Sequence, residues 1–228
     1  MTALPQIEPI TERSLTPNVI GFLHRPVGAL RDALVLTHGA GSNCQTPLLQ
    51  ALAEAFAGEG FLVLRCDLPF RQSSPHGPPP PGNAERDREG LRSAVAAVSK
   101  LVPGKVFLGG HSYGGRQASM LAAAAPELVA GLLLLSYPLH PPRKPQQLRV
   151  QHFPDLQTPA LFVHGTRDPF GTEKELTKAL KLIPARTELL LIAGAGHDLK
   201  TGKKVDTETH QALAVRVLER FANFFAKL

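Results

Sequence analysis

Residues 105–119 read Lys-Val-Phe-Leu-Gly-Gly-His-Ser-Tyr-Gly-Gly-Arg-Gln-Ala-Ser, and this order decides the architecture. A buried-strand run, Lys105–Leu108, enters the hexad Gly110-His111-Ser112-Tyr113-Gly114-Gly115 and leaves it as a small-residue helix, Gly114–Ala125. A strand that becomes a helix within a few residues forces its apex toward strained backbone angles, and glycines on either side leave room for the crossing backbone. The apex here is Ser112. The helix that follows aims its free N–H groups and the positive end of its dipole at that serine.

Outward from this turn, short apolar runs alternate with helical patterns. Ala33–Thr37, Phe61–Cys66, Leu128–Ser136, Ala160–Val163 and Glu188–Ile192 read as further strands. Pro47–Ala57, Glu85–Lys100, Glu173–Leu182 and Thr207–Lys227 read as helices, and residues 12–25 add one or two leading antiparallel strands. The strand runs are continuously apolar, so both faces of their sheet are covered. Strand–helix–strand repetition then implies right-handed crossovers between parallel strands: a three-layer α/β fold, one domain over residues 1–228.

The chain has 228 residues, 43% of them hydrophobic and 19% charged, which excludes a disordered tail and a charged rod. Its 25 basic and 19 acidic residues leave a net charge of +6. The excess is scattered, its densest adjacent pairs being Arg143-Lys144 and Lys203-Lys204, and no stretch interleaves aromatics with arginines. A nucleic-acid partner is therefore not expected. Cys44 and Cys66 fit neither a disulfide framework nor zinc spacing, and no histidine shows metal-ligand spacing, so no metal or cofactor is expected. The amino terminus has no signal-like apolar core, and the longest apolar stretch, Leu128–Leu135, is too short for a membrane span. The expected location is cytoplasmic, with no membrane partner.

Ligand sites in such sheets lie beyond the carboxyl ends of the strands. The residues there are His38-Gly39-Ala40-Gly41, Asp67, His111-Ser112-Tyr113, Tyr137, His164 to Asp168, and His197. A serine hydroxyl is a poor nucleophile unless a base takes its proton. Asp168 in His164-Gly-Thr-Arg-Asp168 and His197 in Gly194-Ala-Gly-His197 follow Ser112 in the order Ser, Asp, His. Each tops a successive strand, so His197 becomes the base for Ser112 and Asp168 its orienting acid. His38 and His164, each before a glycine, read as packed structural residues. Two backbone amides are expected to receive an oxyanion, that of Tyr113 and that of Ala40, with Gly41 as fallback. A phosphate cradle is the lesser reading of Gly39–Asn43, which lacks the Walker lysine and the dinucleotide glycine spacing.

In these four motifs, His38-Gly-Ala-Gly-Ser-Asn43, the Ser112 turn, the Asp168 loop and the His197 loop, the chain resembles the α/β-hydrolase superfamily over residues 15–228. Arg65-Cys-Asp-Leu-Pro-Phe-Arg71, Ser136-Tyr-Pro-Leu-His-Pro-Pro142 and the Asp168 loop look like a small group that includes a testis-expressed protein and a subunit of the NSL chromatin complex. Proteins similar to dienelactone hydrolases share the size, but usually carry cysteine where Ser112 stands.

The ordered serine, aspartate and histidine with their oxyanion loop point to a carboxylesterase on small or medium acyl esters, acting through an acyl-enzyme on Ser112. The resemblance implies the fold and the triad more than a substrate. A thioesterase or peptidase would use the same residues, and a non-catalytic scaffold is the alternative from another class. Superfamily members commonly insert a cap before the strand that begins at Ala160. Here Tyr137–Thr158 offers 22 residues with five prolines, a loop or short helix and no lid. Pro69–Asn83 carries six more prolines in 15 residues. These two stiff loops should rim the site, and Arg71, His76, Arg143 and Lys144, with Arg149, would favour an acidic substrate. The oligomeric state is not legible.

Overall fold

The computed structural model describes residues 5–201 and 210–226. Its strands are β1 (Gln6–Glu12), β2 (Val19–Arg25), β3 (Ala33–Thr37), β4 (Leu62–Cys66), β5 (Val106–His111), β6 (Gly131–Leu135), β7 (Ala160–Gly165) and β8 (Thr187–Ile192). They form one eight-stranded sheet in the order β1-β2-β4-β3-β5-β6-β7-β8. The β1–β2 and β2–β4 pairs are antiparallel, and every pair from β4 to β8 is parallel.

Helices α1 (Pro47–Gly58) and α6 (His210–Phe225) cover one face. Helices α3 (Ala84–Ser99), α4 (Tyr113–Ala124) and α5 (Glu173–Leu180) cover the other, and a short α2 (Pro69–Ser73) follows β4. The alternation of strand side chains divides the core. Val35, Leu64, Leu108, Leu134 and Phe162 meet α3, α4 and α5, whereas Leu36, Val63, Phe107, Leu133 and Leu161 meet α1 and α6. Phe56, Phe61, Phe107, Phe221 and Phe225 interlock on the second face, with ring centroids 4.4–6.2 Å apart.

The sequence reading and the structure differ at element ends. β1 lies at residues 6–12, ahead of the expected 12–25 window. It is an edge strand whose side chains stay exposed or half-buried, so no apolar run marks it, and an edge tolerates its Pro9. β5 continues through Gly109 and Gly110 to His111. β6 starts at Gly131, because Pro126–Leu128 forms a 3-10 turn. The proline-rich loop after β4 opens as α2, with Pro69 at its first turn, where the missing N–H costs nothing. Residues 207–209 and 227 of the expected last helix lie outside the described residues. Among the described residues, no helix is long and apolar enough to cross a membrane.

Residues 137–158 form no separate cap. The chain folds back on itself through Leu139 N–H to the Tyr137 carbonyl, Arg149 N–H to the Leu139 carbonyl and Tyr137 O–H to the Arg149 carbonyl. His140 N–H then ties the loop to the Phe170 carbonyl at 3.0 Å.

Candidate active site

Ser112 sits between β5 and α4 with φ 52° and ψ −114°, in the left-handed half of backbone space that non-glycine residues avoid. Its N–H donates to the Leu135 carbonyl at 2.8 Å and its carbonyl accepts from Arg116 N–H at 3.0 Å, which pins the residue on both sides. The turn closes tightly. A Cβ on Gly114 would stand 2.5 Å from the His38 carbonyl oxygen, and one on Gly110 would stand 2.8 Å from the Gly115 nitrogen. Strain of this kind is of order 1–3 kcal/mol, and it persists because packing over-determines it.

The structure brings Ser112, His197 and Asp168 together. Ser112 Oγ lies 2.8 Å from His197 Nε2, and His197 Nδ1 lies 2.8 Å from Asp168 Oδ2. The Asp168 side chain is fully buried and the His197 side chain 23% exposed, so only the imidazole is within reach of solvent. Asp168 Oδ1 accepts the Phe170 N–H at 2.9 Å. An ionised Asp168 only accepts, so Nδ1 of His197 carries the proton and Nε2 is left free to take that of Ser112.

Neighbouring rings hold the imidazole. Phe170 lies against it at 4.2 Å between centroids. His111 Nε2–H donates to the His197 carbonyl at 2.7 Å, and burial pushes the His111 pKa down to about 4. His164 is buried, with Nε2–H donating to the Gly171 carbonyl at 2.7 Å and Nδ1 3.8 Å from Asp168 Oδ2. It braces the Asp168 loop from behind.

The loop after β3 passes close to Ser112: a Cβ on Gly39 would lie 3.5 Å from that of Ser112. His38 is buried and, as expected, structural. Its Nδ1–H donates to the Gly39 carbonyl at 2.8 Å and its Nε2 accepts the Leu68 N–H at 3.1 Å, while burial holds its pKa down. The first bond fixes the peptide plane between Gly39 and Ala40, and with it the direction of the Ala40 N–H. Among the described residues no backbone hydrogen bond engages the Ala40 amide, and Tyr113, at the first position of α4, has no intrahelical acceptor for its N–H. Gly41 is exposed.

The expected rim is corrected in one place. Arg71 is buried, with its guanidinium turned onto backbone carbonyls and away from the exposed rim. Its Nε donates to the Ser42 carbonyl, Nη1 to that of Ser74, and Nη2 to those of Ala40 and Gly77, at 2.8–2.9 Å. Four backbone acceptors surround one planar fork, so Arg71 staples the Ala40 loop to the proline-rich loop. His76, Arg143 and Lys144 are exposed, and Arg149 is half-buried. Arg71→Ala leaves these carbonyls unpaired, and a fall in stability of about 2–4 kcal/mol is expected by denaturant titration. Arg71→Lys should recover less than half, because an ammonium cannot reproduce the fork.

Asp87 on α3 was not legible as part of the site. It is buried, accepts the Tyr113 O–H at 2.7 Å and the Phe70 N–H at 3.0 Å, and burial raises its pKa. Tyr113 is thereby held by its side chain, and its amide with it. A charged residue in the first turn of a helix carries no pattern that separates it from a solvated one.

Burial lowers the pKa values of His24, His111 and His152 to about 4, so the fold holds all three neutral. The unfolded chain takes up these protons near pH 6.5 and the folded chain only near pH 4, so stability is full above pH 6.5 and is lost as pH falls toward 4. Calorimetric melting should show this decline. His111→Gln, which can still donate to the His197 carbonyl, should flatten it; an unchanged slope would exclude His111 as a contributor.

The same fold is found in known proteins. The chain is similar to a dienelactone hydrolase from Anabaena variabilis, with 21% identity, a TM-score of 0.75, and 97% of this chain and 99% of that one covered. It is also similar to TT1662 from Thermus thermophilus (22%, TM-score 0.72, 99% and 100% covered). A third similar structure is XC6422 from Xanthomonas campestris, described as an α/β serine hydrolase without a lid (15%, TM-score 0.69, 97% and 96% covered). Residues 30–226 match the family described as alpha/beta hydrolase domain, and with the strand order, the Ser112 turn and the three converging side chains already in place, the chain belongs to that family.

Proposed function

We propose that the protein is a serine hydrolase, a carboxylesterase acting on small or medium acyl esters. The hydrogen-bonded line from Ser112 Oγ through His197 to Asp168 carries this reading, with both links at 2.8 Å and the serine on a strained turn.

His197 Nε2 takes the proton as Ser112 Oγ attacks the ester carbonyl. Negative charge gathers on the carbonyl oxygen, and the Tyr113 and Ala40 amides are the donors that receive it. The buried Asp168 stabilises the imidazolium. The C–O bond then breaks, the alcohol leaves with the proton from His197, and an acyl ester remains on Ser112. Water enters by the same route in reverse roles: His197 takes its proton, hydroxide adds to the acyl carbon, and Ser112 leaves with the proton returned. No step calls on a metal or cofactor. The substrate is a small molecule, and the buried cysteines, Cys44 and Cys66, suit a reducing compartment such as the cytoplasm.

A fluorophosphonate probe tests the reading directly. It should label the wild-type protein at Ser112 and leave Ser112→Ala unlabelled, in step with hydrolysis of short para-nitrophenyl esters. Labelling or turnover that survives in Ser112→Ala overturns it.

A further inference from the structure

Three arginines gather around the first turns of α4. Arg88 comes from α3, Arg116 from α4 and Arg149 from the loop after β6. None of them forms an ion pair with the described residues. Arg88 Nη1–H donates to Gln117 Oε1 at 3.0 Å, which lays α3 against α4. Ser119 Oγ and His152 Nε2 lie 2.8 Å apart, which lays the loop against the other side of the helix. Between these contacts, two adjacent donors are buried without any hydrogen-bond partner: Nε of Arg116 and Nε2 of Gln117, a residue with no exposed surface.

Such a group is costly to keep. Buried donors without acceptors each lose on the order of 1–3 kcal/mol of hydration, and like charges repel most where water is thin. Burial and then the Arg116 charge draw the Arg149 pKa down. Arg88 has Asp87 beside it, but Asp87 is already occupied by Tyr113 and Phe70. His152 is neutral at pH 7. The uncompensated charge is therefore that of Arg116 and Arg149. An anion would pair the orphaned donors and relieve the repulsion, and a planar guanidinium is built to hold a carboxylate through two parallel bonds.

The place of the cluster relates it to Ser112. Arg116 follows Ser112 by one turn of α4, a rise of about 6 Å. Burial and Asp87 raise the pKa of Tyr113, the residue next to the serine, and the charges of Arg116 and Arg88 pull weakly against that rise. We propose that Arg116, with Arg149 beside it, forms a carboxylate subsite, and that the ester attacked by Ser112 carries a second, free carboxylate. The preference for an acidic substrate expected of the rim loops would then reside in the half-buried Arg116 and Arg149. The proposal rests on the serine-hydrolase reading for its substrate, but the subsite can be read independently.

Two substrate pairs distinguish where the carboxylate sits. Mono-para-nitrophenyl glutarate against para-nitrophenyl valerate places it on the acyl side. Para-acetoxybenzoate against phenyl acetate places it on the leaving group. One charged member should exceed its neutral partner in kcat/KM by about ten-fold or more, the worth of one charge-assisted hydrogen bond. High salt should shrink that ratio. Arg116→Gln should bring it near one through KM, and Arg116→Lys should fall between.

Glutarate itself should raise the melting temperature of Ser112→Ala and leave the Ser112→Ala/Arg116→Gln double variant unmoved. Absence of both the charge preference and the glutarate shift overturns the subsite and leaves the serine chemistry standing. If Ser112→Ala hydrolyses esters like the wild type, the serine chemistry fails instead, and the glutarate shift alone decides the subsite. Tighter binding of inorganic phosphate than of glutarate overturns the carboxylate assignment.

Discussion

Ser112→Gly is expected to turn over no ester and yet to melt at a higher temperature than Ser112→Ala. Both lack the hydroxyl that attacks the carbonyl, and loss of the nucleophile from a relay of this type removes roughly 10⁵–10⁶-fold of kcat. The variants differ only in a Cβ. At φ 52° and ψ −114° that Cβ is strained, and the Leu135 and Arg116 hydrogen bonds prevent the backbone from relaxing. Glycine releases about 1–3 kcal/mol of strain and returns about 0.4–1 kcal/mol to the greater freedom of its unfolded chain. The net gain over alanine is of the order of 1 kcal/mol, or a few degrees in Tm for a chain of this size. Equal melting of the two variants would show that the turn stores no strain. Turnover within about 100-fold of wild type in either would remove Ser112 from the chemistry.

Asp168→Asn is the second large effect: kcat should fall by about 10⁴-fold with KM within a few-fold of wild type. The side chain is fully buried, and its Oδ1 already accepts the Phe170 N–H. An asparagine that keeps this bond turns its NH₂ toward His197 Nδ1, where Oδ2 now accepts at 2.8 Å. Nδ1 must then accept and Nε2 must carry the proton. An Nε2–H facing Ser112 Oγ cannot serve as a base. His164 stands 3.8 Å behind the carboxylate but donates to Gly171, so it offers no replacement. Fluorophosphonate labelling should slow in parallel with kcat. A loss below about ten-fold would mean that His197 holds its tautomer without Asp168.

The three side chains named for their order along the chain meet in space because each tops a parallel strand at the same edge of the sheet. Buried parallel strands leave a local record: continuous apolar runs ended by glycine, with the functional residue directly after. This is why the Ser112, Asp168 and His197 loops were legible, and why β1 was not. An edge strand with exposed polar faces leaves no such record.

Side chains that act across elements leave none either. Arg71 lies in a proline-rich loop that reads as surface, yet it is buried by carbonyls contributed from two loops. Asp87, Arg88 and Arg116 sit on helices whose charged residues all look alike in one dimension. Only packing of α3 on α4 separates the buried from the solvated.

Local chemistry along the chain therefore determined the fold class, the strained serine turn and the order of the three reacting residues, since each depends on neighbours within a few positions. The tertiary structure decided which charges are exposed and which are drawn in among neighbouring elements, and hence that Arg71 supports the backbone while Arg116 has no ion-pair partner among the described residues. Burial and pairing of a charge are set by residues distant in sequence, and no local pattern encodes them.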